Sequence, residues 1–179
     1  MMNAFYLFLV LVLSLASPIT AGSTTKCLEA QMTSKDKTLY PNISGKISVC
    51  FDSRNIGTLK MDVVGLRPNI KAGTAGVHIH SGTSCATDIT QKGHYYKSGT
   101  GGPMKDGDPW YTQKSTIAPK GTSYTTCPMG KAKYQDFTFN NGKNYASTFG
   151  KVVVIHDTTA SGAKRIACGV LKVQTQPFV

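Results

Sequence analysis

Lys46 to Asp52 reads KISVCFD, and its apolar residues Ile47, Val49 and Phe51 alternate with Ser48, Cys50 and Asp52. A period of two places the three apolar side chains on one face, which is the pattern of a half-buried strand and not of a helix. The same period returns on either side. Thr58 to Leu66 (TLKMDVVGL) alternates and stops at Arg67-Pro68, a turn. Ala75 to His80 is a short strand, and Lys131 to Asn140 (KAKYQDFTFN) is another, closed by Asn140-Asn141-Gly142. Lys151 to His156 (KVVVIH) is β-branched and almost wholly apolar, as a central strand should be. Ile166 to Gln174 closes the set, with Gly169 inside it, and Tyr111 to Ile117 adds an edge strand. Short strands parted by Gly- and Pro-bearing turns predict an all-β domain, a Greek-key barrel or sandwich of about eight antiparallel strands.

Composition narrows the function. The chain has 179 residues, of which 16% are charged, below the roughly 25% of an average soluble domain. Lys and Arg outnumber Asp and Glu by 20 to 9, for a net charge of +11, so an acidic tail or an acidic calcium-binding protein is excluded. Glu29 is the only glutamate, which disfavours chemistry built on paired glutamates, such as most glycoside hydrolysis. The excess of Lys suits solubility or adhesion to anionic cell-surface polymers. Nucleic acid is not expected as a partner, because no basic helix, zinc finger or aromatic RNA-binding signature accompanies the charge.

Phe5 to Ala16 (FYLFLVLVLSLA) is an uncharged apolar run, shorter than the ~20 residues that span a bilayer and followed by small residues. Residues 1–21 read as a secretory signal, with cleavage after Ala16 or Ala21, although no Lys or Arg precedes the run. Residues 22–179 then form one exported domain with no stable membrane insertion. Asn42-Ile43-Ser44 is a glycosylation sequon. Cys27, Cys50, Cys85, Cys127 and Cys168 would pair as two disulfides in an oxidising compartment and leave one thiol over.

Four histidines occur: His78, His80, His94 and His156. His78 and His80 stand at i and i+2 on a strand, so their rings share a face and the backbone sets the bite between them. His94 follows shortly, and His156 ends the most apolar strand. Should the sheet bring these together, four neutral imidazoles suit copper or zinc. Such a pair on a strand also arises by chance, and a histidine at a strand end is more often a surface group. Zinc hydrolysis would need three ligands, an open position and a carboxylate base, for which Asp88, Asp106, Asp108 and Asp157 are available.

Gly76 to Cys85 (GVHIHSGTSC), Gly93-His94, Gly150 to His156 (GKVVVIH) and Arg165 to Leu171 (RIACGVL) occur in this order. Together they resemble the copper/zinc superoxide dismutase family over roughly Gly45 to Leu171. The resemblance implies an eight-stranded Greek-key β-barrel that converts superoxide to oxygen and hydrogen peroxide at copper. It implies copper ligation by His78, His80, His94 and His156, with His94 at the position that bridges copper to zinc in the family. It also implies a Cys85–Cys168 disulfide and an anion-guiding role for Arg165. Cys27, Cys50 and Cys127 still permit three single pairings, and Cys50, on the polar side of its strand, is open to a partner.

The departures point further. All four histidines are used at copper positions, leaving none for the family's zinc site, and only the eight residues Asp157 to Lys164 separate His156 from Arg165. This is similar to a secreted, copper-only branch, with zinc absent. The second nitrogen of His94 then needs another acceptor, and Asp106 or Asp108 is the candidate, against the alternative that both are solvated turn residues. Competing readings are a non-catalytic copper-binding module of the same fold and a polyanion-binding protein. The oligomeric state stays open.

Overall fold

The computed structural model describes residues 25–69, 75–99, 108–110, 126–157 and 164–175. The expected signal at 1–21, Asp106 and the edge strand at Tyr111 to Ile117 lie outside these residues. Among the described residues eight strands make one sheet: β1 (Lys26–Ser34), β2 (Ser44–Phe51), β3 (Gly57–Val64), β4 (Ala75–His80), β5 (Ala132–Phe139), β6 (Val152–Asp157), β7 (Lys164–Val170) and β8 (Lys172–Val173). Their order is β4-β6-β7-β1-β2-β3-β5, with β8 paired to β1. All pairings are antiparallel, and the chain crosses from one edge of the sheet to the other between β4 and β5. The sheet curls into a half-barrel, the all-β fold expected from the sequence.

The period-two residues fill its concave side. Leu28, Ala30 and Met32 of β1 meet Ile47, Val49 and Phe51 of β2 and Leu59, Met61 and Val63 of β3 in one buried cluster. β1 escapes a propensity reading because Ala, Met and Glu are weak strand formers, and only its alternation betrays it. The stretch Ile166 to Gln174 is two strands, not one. Gly150 N–H donates to the Leu171 carbonyl and Leu171 N–H to the Lys151 carbonyl, just ahead of β6, after which Lys172 and Val173 turn to pair with Leu28 and Glu29 of β1. Gly169 lets β7 approach β1, since a Cβ there would lie 2.4 Å from the Gln31 carbonyl oxygen.

Cys27 faces Cys50 across the β1–β2 ladder and is bonded to it, so Cys50 is not open to another partner, as its position on the polar side had suggested. Cys85 is bonded to Cys168, and Cys127 is the free, exposed cysteine.

Candidate metal centre

β4 and β6 are buried on both faces. Val77 and Ile79 on β4, with Val153 and Ile155 on β6, enter the main core. The register pairs His78 with Val154, His80 with Val152 and Gly76 with His156, so His78, His80 and His156 share the opposite face. The period of two thus delivers a hydrophobic face and a histidine face from the same two strands.

His94 arrives from a loop. A one-turn helix, α1 (Asp88–Gln91), is closed by a reciprocal Thr87–Thr90 capping box, and the chain then returns along the free edge of β4. Ser81 N–H donates to the Gly93 carbonyl at 2.8 Å and Tyr95 N–H to the Ile79 carbonyl at 2.8 Å, which sets His94 opposite His80. The ring centroids are 4.5 Å apart for His78–His94, 5.1 Å for His94–His80, 5.4 Å for His80–His156 and 4.8 Å for His156–His78. One ligand atom from each of the four lies within 4.8 Å of all the others.

Hydrogen bonding decides which nitrogens are left to bind. His80 Nδ1 donates to the Lys92 carbonyl at 2.9 Å, so its Nε2 carries the lone pair and faces His156 Nε2 at 3.2 Å. His94 Nδ1 donates to Asp108 Oδ2 at 2.7 Å, which likewise reserves Nε2. Among the described residues neither nitrogen of the buried His78 has a partner. A buried polar group without a partner costs about 1–3 kcal/mol, and here it stands among three other imidazoles. These residues fit a cation that prefers neutral nitrogen donors.

The charge state agrees with that donor set. Burial above all, with repulsion from the other three imidazoles and Arg165, holds His78 well below the usual histidine range. Burial also takes His80 down to about 3, against the opposing pull of the Lys92 carbonyl.

Asp108 is positioned by its neighbour but one. Its Oδ1 accepts the Trp110 backbone N–H at 2.8 Å, and the fully buried Trp110 ring packs 4.6 Å from Phe139 while its indole N–H donates to the Tyr95 carbonyl at 2.9 Å. A tryptophan plugged into the core therefore anchors the carboxylate that orients His94. Arg165 stands opposite His156 across β6 and β7. Its guanidinium donates to the carbonyls of Asp88 (2.7 Å) and Lys92 (2.8 Å) and to Gln91 Oε1 (3.1 Å). The Lys92 carbonyl thus serves both His80 and Arg165. Neither this carbonyl nor Gln91 could be found from the sequence, because a backbone acceptor leaves no residue signature.

No family model and no curated protein matches the chain. Solved structures do. The Cu(II) form of Candida albicans superoxide dismutase 5 superposes with a TM-score of 0.54 at 17% identity, over 87% of this chain and 97% of that one. A single-substitution variant of the same Candida albicans enzyme gives 0.52 at 18% identity, over 86% and 96%. At that identity the likeness is one of architecture, and the chain has the copper/zinc superoxide dismutase-like β-barrel fold seen in Candida albicans superoxide dismutase 5.

Proposed function

We propose that this protein is an exported copper-dependent superoxide dismutase that works without zinc. The observation that carries the reading is the cage of four imidazoles with converging nitrogens beside the Arg165 guanidinium. His78, His80, His94 and His156 would hold the ion. Copper bound there would supply alternating one-electron oxidation and reduction, by which two superoxide anions and two protons become oxygen and hydrogen peroxide.

The rest is done by the chain. The Lys92 carbonyl and the Asp108 carboxylate fix the tautomers and planes of His80 and His94. The second ring nitrogen of His94 is engaged by the Asp108 carboxylate, which supports a copper-only site. Among the described residues the hydrogen-bond acceptors of Arg165 are two carbonyls and an amide, all neutral, so its charge stays available to draw in and orient a small anion. The two disulfides and the exposed Asn42 agree with export and glycosylation, and the +11 charge with contact to anionic cell-surface polymers.

Metal analysis of the purified mature protein, paired with superoxide consumption before and after addition of copper or zinc, tests this. Copper uptake with consumption is the expected result; copper uptake without consumption would make the protein a copper-holding module. Asp108→Asn should lower copper affinity or activity by about 10- to 100-fold, the usual cost of losing a carboxylate behind a histidine ligand. Full occupancy and turnover in that variant would remove Asp108 from the site's machinery.

A further inference from the structure

Gln91 is fully buried, yet its amide is only half satisfied: Oε1 accepts from Arg165 Nη1, while Nε2 has no partner among the described residues. A guanidinium only donates, so the amide oxygen must be the end that faces it. An apolar side chain of the same shape would avoid the orphaned Nε2, so stability does not account for glutamine here.

The backbone around Gln91 is built to a narrow tolerance. Gly82 N–H donates to the Gln91 carbonyl at 2.9 Å, and Gln91 N–H donates to the Thr87 carbonyl at 3.1 Å. A Cβ on Gly82 would lie 2.0 Å from the Thr90 carbonyl oxygen and 2.5 Å from Gln91 C and O, so only glycine allows this approach. The amide is therefore held between the segment leaving β4 and the start of β7.

We propose that Gln91 is the positioning residue that fixes the Arg165 guanidinium for anion capture, a role that rests on the copper-site reading above. Arg165 has five N–H donors. The Asp88 carbonyl and Gln91 use both hydrogens of Nη1 and the Lys92 carbonyl one of Nη2. Among the described residues one Nη2–H and the Nε–H are left for an anion. Gln91 supplies the only side-chain acceptor among these three, and it is uncharged. A carboxylate at this position would hold the guanidinium at least as tightly and offset the charge that attracts the anion.

Three measurements on the full mature protein test the proposal. In metal-free, nitrogen-15-labelled protein, the Arg165 Nη resonances should be separate, and in Gln91→Met they should merge as the guanidinium begins to rotate. The melting temperature of Gln91→Met should equal or exceed that of the parent, where a structural role requires it to fall. In copper(II)-loaded protein, azide affinity followed by the copper absorption band should weaken about tenfold, the equivalent of one net hydrogen bond. Gln91→Glu, which keeps shape and acceptor if the methionine variant does not fold, should restore separate Nη resonances and still bind azide weakly. Separate resonances and unchanged azide affinity in Gln91→Met would overturn the proposal. A parent protein that takes up no copper would overturn the functional reading instead, and the metal-free resonances would still decide whether Gln91 holds Arg165.

Discussion

Two arginines sit at the same end of the sheet and are treated in opposite ways. Arg67, just after β3, places Nε 3.1 Å and Nη2 3.5 Å from the carboxylate of Asp157, which also accepts Tyr40 O–H at 2.6 Å. Its charge is cancelled by a carboxylate that is 2% exposed, and the cluster ties the end of β6 to the β1–β2 connection and to the exit of β3. Arg165, across β6 from the same strand end, is held as firmly but by two carbonyls and an amide. One arrangement uses a cation to close a fold and the other holds a cation without an anionic acceptor. The acceptor's charge, not the number of hydrogen bonds, separates the two jobs. Burial of the Tyr40 hydroxyl, and then the adjoining Asp157 carboxylate, pushes Tyr40 up to about 12, so the closed cluster keeps its proton across the physiological range.

The contrast can be broken in several places. The largest effect should come from the covalent tie on the Arg165 side. Cys85–Cys168 closes a separation of 83 residues, so replacing both cysteines with serine should cost about 4–5 kcal/mol by urea denaturation on the chain-entropy model. The Cys27–Cys50 bond, over 23 residues, should cost about 3 kcal/mol by the same measurement. Asp157→Asn should follow at about 2–3 kcal/mol, below the full cost of breaking a buried pair because the Arg67 side chain is 38% exposed. It should leave the salt dependence of anion binding unchanged.

Arg165→Ala should do the reverse. In copper-loaded protein the rate with superoxide should fall about tenfold or more and lose most of its salt dependence, while the urea midpoint moves little. An unchanged rate would refute steering by this residue. The smallest effect belongs to Asp88, which pairs with Lys35 at the start of α1. Lys35 beside it lowers the Asp88 pKa, so the pair's contribution is full above the ordinary carboxylate range and is lost as pH falls through the depressed folded value. Asp88→Asn should therefore remove under about 1 kcal/mol at neutral pH, measured by urea denaturation, and nothing once the parent carboxylate is protonated.

Much of this was legible before any coordinates. The alternation of Ile47, Val49 and Phe51 and the run Val152 to Ile155 carry strand identity and burial in the residues themselves, because side-chain direction in a strand repeats every two positions. The i, i+2 spacing of His78 and His80 carries their shared face for the same reason. β1 and the break at Leu171 were hidden, the first by weak strand formers and the second because the chain changes partner strands without changing its pattern.

The primary structure thus settled which residues face together within each strand, since that depends only on local geometry. It did not settle which strands lie side by side, that His94 is set against β4 by a loop, or that Asp108 and the Lys92 carbonyl orient the imidazoles. Nor did it reveal that Gln91 meets Arg165 from 74 residues away. Those contacts follow from how the sheet curls and how its loops close over one face, and a contact between distant segments has no period along the chain.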